Sequence, residues 1–396
     1  MFFPFPLLYS QRLSWGISLV VAVSLGGCAR PATGLAAQEQ LLYVGTNVNS
    51  AAENTIFLYR LSPTGVLTRV SAQRGGASPT YLAMAEDRRF LYAVNETQTF
   101  QGAKSGSVRS YAVDQRTGGL TLLNEQPSAG SSPCYISLDG SGKAVLVANY
   151  VGGNVSLLPV LANGQLAPPA ATGQHEGTGP HPNQNAAHAH CIVADPTNAY
   201  AFAVDLGTDR VYRYQLNAAK GQLTQTATPA FVARPGAGPR HLTFHPNGKR
   251  AYLINELNST ITALDYAAAA GQFSERQTLS TLPAGYAEAN SCADVHVSPN
   301  GRFLYASNRG HNSIAVFSID AGTGTLTPVQ DVDTQGKTPR NFTLDPSGRL
   351  LLVANQNSNS IVTFRVDAET GQLTPTGQSA EVPSPMFLQV VKDFTR

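Results

Sequence analysis

Apolar residues in this chain come in short alternating runs, broken every few positions by Gly, Pro, Asn, Asp or Ser. The stretch "HLTFHPNGKRAYLINELNSTITALDY" shows the pattern: one run, a Pro-Asn-Gly turn, a second run, an Asn-Ser turn and a third run. Alternation with period two marks half-buried strands, and such turns join antiparallel neighbours. The pattern returns as "DVHVSPNGRFLYASNRGHNSIAVFSI" and "NFTLDPSGRLLLVANQNSNSIVTFRV". Looser copies are "YISLDGSGKAVLVANYVGGNVSLLPV", "CIVADPTNAYAFAVDLGTDRVYRYQL" and "YLAMAEDRRFLYAVNETQTF". Asn95, Asn149, Asp205, Asn255, Asn308 and Asn355 are equivalent and recur about every 50 residues, a spacing in the range of propeller blades.

A fourth strand follows a Gly turn in each unit, as in "TGTLTPVQDV" and "TGQLTPTGQS". One such sheet is marginal alone, whereas a ring of them buries every face between neighbours. A seventh copy is split: "LLYVGTNVNSAAENTIFLYRL" opens the domain and "MFLQVV" near the C-terminus completes it. The fold class expected is all-β, a seven-bladed β-propeller over residues 41–396, closed by a C-terminal strand joining the N-terminal blade.

In such a ring the strand before each turn lines the central channel. Counting back from Pro246, the sixth residue is Arg240 and the fifth His241. The sixth-before residues elsewhere are Thr80, Cys134, His190, Ala293, Arg340 and Met386. The fifth-before residues are Tyr81, Tyr135, Cys191, Asp294, Asn341 and Phe387. Each second strand runs back beside the first and ends at this same mouth, bringing Glu96, Tyr150, Glu256 and Arg309 there. Convergent polar groups in a concavity are a site hypothesis. Three arginines, Arg240, Arg309 and Arg340, suit an anionic substrate, because guanidinium forks match carboxylate and phosphate. His190, His241, Glu256, Asp294 and Asn341 complete the candidate set. Asn255 and its equivalents are read as structural turn-bonding residues, His245 as a turn residue and His296 as a channel histidine.

The N-terminus departs from this pattern. "LSWGISLVVAVSLGGCAR" is too short and too broken for a confident membrane span and suits a secretory leader. "LGGC" resembles a bacterial lipobox. A signal peptide is therefore expected over residues 1–28 and a linker over 29–40, with Cys28 lipidated. The protein would be exported to a bacterial periplasm or outer surface, touching membrane only through that anchor. The remaining Cys134, Cys191 and Cys292 cannot form a disulfide scaffold and are expected free.

Composition adds little beyond this. The chain has 396 residues, 42% hydrophobic and 13% charged, with 36 Gly and 25 Pro and a formal charge of +2. No basic face advertises nucleic acid, and a monomer is expected. "GQHEGTGPHPNQNAAHAHC" holds four of eight histidines, yet no zinc spacing. His188 and His190 are read as pointing to different faces of their strand, which speaks against a shared metal. No G-x-S-x-G elbow is present, and the Gly-rich piece leads into no helix. No cofactor or metal is expected.

The segments "HAHC", "DLGTDRVY", "GPRHLTFHPNG", "YLINELNST", "ADVHVSPNGRFLYASNRG" and "TPRNFTLDPSGRLLLVANQ" resemble the seven-bladed propeller lactonase family, of the 6-phosphogluconolactonase and carboxymuconate lactonizing enzyme type. The resemblance spans nearly everything from Leu41 onward. It implies lactone hydrolysis, without metal, at the channel mouth, with His190, Arg240, Glu256 and Arg309 as catalytic residues and a small anionic or sugar lactone as substrate. Asn183-Gln184-Asn185 stand where relatives often carry a basic residue, which weakens the implied anion clamp. Pairing with Arg240 would make Glu256 a feeble base, so His190, titrating nearer neutral pH, is favoured to activate water. A muconate-type cycloisomerase and a non-catalytic envelope propeller are the alternatives.

Overall fold

The computed structural model describes residues 39–394, together with Met1. The expected leader, and all of the expected linker except Glu39 and Gln40, lie outside them. Seven antiparallel sheets follow one another along the chain, each running from an inner strand outward. Blade 1 is built from Pro385–Lys392, Gln40–Thr46, Ile56–Leu61 and Leu67–Gln73. The blades that follow begin with the inner strands Leu82–Met84, Pro133–Leu138, Ala189–Ala194, Pro239–Phe244, Ser291–Val297 and Pro339–Leu344. The C-terminal strand is therefore the innermost strand of the blade whose outer three come from the N-terminus. Its register is continuous from Gln40 opposite Lys392 to Gly45 opposite Phe387. This is the expected closed seven-bladed propeller. One strand exceeds the four-per-blade expectation: in blade 4, Phe231–Val232 adds beside Arg210 and Val211.

Each blade is held by what it buries against the next. Tyr252 and Ile254 of blade 5 pack with Cys292, Val295 and Phe317 of blade 6 in one apolar cluster. The stretch "FLYA" explains part of this. Its tyrosine is buried on the second strand, and its hydroxyl crosses to the Gly turn of the following blade. Tyr43 donates to the Gly118 carbonyl (2.7 Å), Tyr252 to Gly324 (3.0 Å) and Tyr305 to Gly371 (3.0 Å). Tyr92, in blade 2, is equally buried, but its hydroxyl has no partner among the described residues. The turn facing it, Leu161 to Gly164, closes with an i to i+3 bond where Asp367 to Gly371 spans i to i+4.

At the turn end of the channel, carboxylates are saturated by backbone amides. Asp345 Oδ1 accepts from the Arg349 and Leu350 amides (2.7 and 2.8 Å), and Oδ2 from the Ser347 amide (3.1 Å) and Gln40 (3.1 Å). Asp195 and Asp139 are engaged in the same way. His245 sits in its turn and meets the Gly301 carbonyl (2.9 Å). Cys134, Cys191 and Cys292 are free and buried, as their number implied.

Candidate active site

A backbone irregularity shapes the other end. In five blades the inner strand carries a β-bulge near its start, where one residue is left out of the ladder, and in blade 6 the register shift leaves out two, Ala293 and Asp294. Pro239 pairs with Asn255 and His241 with Ile254, so Arg240 is the extra residue. The same holds for Cys134, His190, Arg340 and Met386. A bulge bends the strand and re-aims the unpaired side chain. Ser132, Gly238, Thr338 and Ser384, two residues before the bulge, adopt φ of 55°, 61°, 61° and 42°. Proline follows each and has no amide to lose at a strand's first position. The carbonyls of these left-handed residues, and of Ser78 in blade 2, accept from the amides of the second-strand ends: Ser78 from Glu96 (2.9 Å), Ser132 from Tyr150 (2.8 Å) and Gly238 from Glu256 (2.7 Å). Asn95, Asn149, Asn308 and Asn355 donate to loop carbonyls beside this junction, the structural role expected of them.

The side chains so placed converge. Thr80, Glu96, Cys134, His190, Arg240, His241, Arg340 and Asn341 line one hollow at the channel mouth, about 260 Å³ including open solvent. Glu256 Oε2 lies 2.9 Å from Arg240 Nε and 2.8 Å from an Arg309 Nη. The Arg240 contact is an ion pair whose N–H is not aligned for a hydrogen bond. Arg240 also donates to the Ala293 carbonyl, and Arg309 to that of Cys292 (2.8 Å). Burial alone would raise the Glu256 pKa, but Arg309, Arg240 and Arg340 hold it below the usual value. It is a fixed anion. Arg340 is different: its guanidinium has no hydrogen bond or ion pair among the described residues.

Beneath this ring lies a floor. Arg240 can only donate, so the His241 Nε2 that faces it at 3.2 Å accepts, and His241 Nδ1 carries its proton to Asp294 (2.8 Å). Asp294 Oδ2 takes Asn341 (2.5 Å) and His296 (3.0 Å). Burial and Arg240 push His241 down to about 4. Asp294 stays far below the carboxylate range despite its burial, held by His296 and His241. Its charge outweighs burial at His296, which is raised. The other half of the floor is aromatic, with the Tyr81 ring packed at a tilt between those of Tyr135 (4.3 Å) and Phe387 (4.0 Å).

Every sequence-predicted residue therefore reaches this end of the channel, but in two layers. His190, Arg240, Glu256, Arg309 and Arg340 stand at the mouth. Asp294 and Asn341 spend their polar atoms on each other and their neighbours, although Asn341 still borders the hollow. Two expectations are corrected. His190 does not titrate near neutral pH: burial, then Arg240, His241 and Arg340, push it well below 6.5. It is a neutral imidazole whose buried Nδ1 has no partner among the described residues. His188 and His190 are not on opposite faces. Residues two apart in a strand face the same way, His188 precedes the strand, and both rings meet Tyr150, at 4.5 and 5.6 Å. Glu96, at the end of blade 2's second strand, was legible as a mouth residue but not as a member of the set.

The family model described as "Lactonase, 7-bladed beta-propeller" matches residues 41–390. The chain belongs to the seven-bladed β-propeller lactonase family. Among relatives of this lactonase-family chain is the 6-phosphogluconolactonase of Bacillus subtilis (strain 168), 38% identical over 304 residues, covering 76% of this chain and 84% of that one. A solved periplasmic gluconolactonase from Pseudomonas aeruginosa superposes with a TM-score of 0.85 at 34% identity, covering 90% of this chain and all of the other. A putative 6-phosphogluconolactonase from Bacteroides fragilis gives 0.82 at 36%, covering 92% of this chain and 100% of the other. Among the described residues of this propeller lactonase, no three His, Cys, Asp or Glu gather to hold a metal ion.

Proposed function

We propose that the protein hydrolyses a sugar lactone of the aldonolactone type at the channel mouth. The observation that carries this reading is a hollow lined by a neutral His190, by Arg340 without a partner among the described residues, and by Arg240, which is pinned beside it by the Glu256 that Arg309 also holds. Arg340 meets the phosphate or the hydroxyl-rich part of the substrate. Arg240 and Arg309, held in place by Glu256, present positive charge where the carbonyl oxygen becomes an oxyanion, without reorganising during the reaction. His190 takes a proton from water as its oxygen bonds to the carbonyl carbon. The ring C–O bond then breaks, giving the hydroxy acid. A base of low intrinsic pKa is weak, but the oxyanion forming beside the arginines offsets the repulsion that depresses His190, so its basicity rises as charge develops.

The name of the Pseudomonas relative, a periplasmic gluconolactonase, and the leader ending at Cys28 support an unphosphorylated lactone met outside the cytoplasm, with the protein lipid-anchored at Cys28. Hydrolysis of gluconolactone and 6-phosphogluconolactone by the leaderless protein tests the reading. Acid release above the buffer rate is expected, and His190→Ala should lower kcat by about 10²-fold or more. A wild type no faster than buffer on both substrates overturns it. For the anchor, Cys28→Ala should move the protein from the membrane to the soluble fraction; retention in the membrane overturns lipidation there.

A further inference from the structure

Glu256 is not the only carboxylate in the mouth. Glu96 occupies the equivalent place in blade 2, with its amide held by the Ser78 carbonyl (2.9 Å). Its Oε2 accepts from Thr80 Oγ1 at 2.6 Å. No hydrogen bond or ion pair engages Oε1 among the described residues, and the side chain lines the hollow shared with Cys134, His190, Arg240 and Arg340. The two glutamates differ in what holds them. Two guanidiniums fix Glu256 as an anion. A single hydroxyl engages Glu96, which leaves one oxygen able to carry a proton into the hollow.

We propose that Glu96 is a catalytic residue, donating the proton with which the lactone ring oxygen leaves. This rests on the hydrolase reading above. Collapse of the tetrahedral intermediate expels an alkoxide, a poor leaving group unless protonated as the bond breaks. With His190 on the water, a second group must supply that proton. Glu96 Oε1–H gives its proton to the ring oxygen as the C–O electron pair moves there. The imidazolium of His190 then releases to solvent the proton taken from water, and Glu96 recovers one. The net change is one water added across one ester bond. The groups that share the hollow with Glu96 are Arg340 from blade 7, Arg240 and His241 from blade 5, His190 from blade 4, Cys134 from blade 3, and Tyr81 and Thr80 beside it. Burial raises its pKa against Arg340, Thr80 and Arg240, which favours the protonated form. Two carboxylates pushed apart in this way commonly divide the acid and the anionic roles.

The experiment is gluconolactone hydrolysis by the leaderless protein across pH, with the buffer rate subtracted. An acid required in its protonated form produces a decline of kcat at high pH. Glu96→Gln should lower kcat about 100-fold with KM changed less than about threefold, and should remove the alkaline decline. Thr80→Val, which deletes the bond favouring the carboxylate, should move that decline to higher pH. A Glu96→Gln enzyme within about threefold of wild-type kcat, or one that keeps the wild-type decline, overturns the assignment. Where Glu96→Gln does not fold, an unshifted decline in Thr80→Val overturns it. An inactive wild type sinks the hydrolase reading itself, whereas active Glu96→Gln beside inactive His190→Ala sinks only this role.

Discussion

The two ends of the channel use the same residue types to opposite effect. At the turn end, Asp139, Asp195 and Asp345 have both oxygens filled by backbone amides and neighbouring side chains. At the mouth, among the described residues, Glu96 keeps an oxygen open, His190 Nδ1 and Arg309 Nε lack partners, and Arg340 is unpaired. A saturated carboxylate fixes a turn and does nothing else. Unfilled hydrogen-bonding capacity, held rigidly in a hollow, is what a substrate can use, and it costs stability to maintain. The contrast separates structural from chemical acidic residues by how their oxygens are filled: the turn aspartates are buried and saturated, and Glu96 and Glu256 are half-buried at the mouth.

Substitutions on either side can break this comparison. The largest effect is expected from Arg240→Ala, which should lower kcat/KM for gluconolactone by about 10³-fold, since fixed oxyanion-facing donors contribute on that scale. Activity within tenfold of wild type, as read from acid release, would place the chemistry elsewhere. Next comes pH. His190 and His241 are buried and neutral, with pKa values depressed below that of the unfolded chain, so the unfolded state binds more protons in acid. Stability should be complete above about pH 6.5 and fall as pH drops towards 4, by up to ~3 kcal/mol for His241 alone. Urea midpoints between pH 7 and 4 measure this, and His241→Gln should flatten the slope. A slope unchanged by that substitution argues against the floor as drawn.

At the turn end, Asp345→Ala should cost about 2–3 kcal/mol in urea unfolding, through the amides it orphans, while leaving the lactonase rate within about twofold. A large loss of activity in the folded variant would blur the distinction between the ends. The smallest effect compares two tyrosines. Tyr305→Phe removes an inter-blade bond and should cost about 1 kcal/mol, whereas Tyr92→Phe removes a hydroxyl with no partner and should be neutral or stabilising. Equal costs for both would mean that the Tyr92 hydroxyl is engaged after all.

The fold and the residues of the mouth were legible because the blades repeat. A fixed count from each Pro-Asn-Gly-type turn located His190, Arg240 and Arg340 without any structure. What the count does not carry is how each polar atom is satisfied. That Asp294 and Asn341 bond each other beneath the mouth depends on contacts between blades 6 and 7, which no single repeat encodes. The depressed His190 arises from its burial between blades and then from Arg240, His241 and Arg340, all on other blades. The bulge did have a local signal, the recurrent Ser-Pro, Gly-Pro and Thr-Pro ahead of the inner strand at Pro133, Pro239, Pro339 and Pro385. Reading it as a bend rather than a strand start would have explained why alternate residues do not simply alternate faces there.

The C-terminal strand does more than fasten the circle. The Leu388 amide bonds Asn341 Oδ1 at 2.9 Å, and Phe387 completes the aromatic half of the floor. This closing strand is thus also a wall of the hollow. A stop between Asn341 and Pro385 yields a chain that carries every proposed site residue but lacks the strand that closes blade 1 and holds Asn341, so activity reports on synthesis through Lys392.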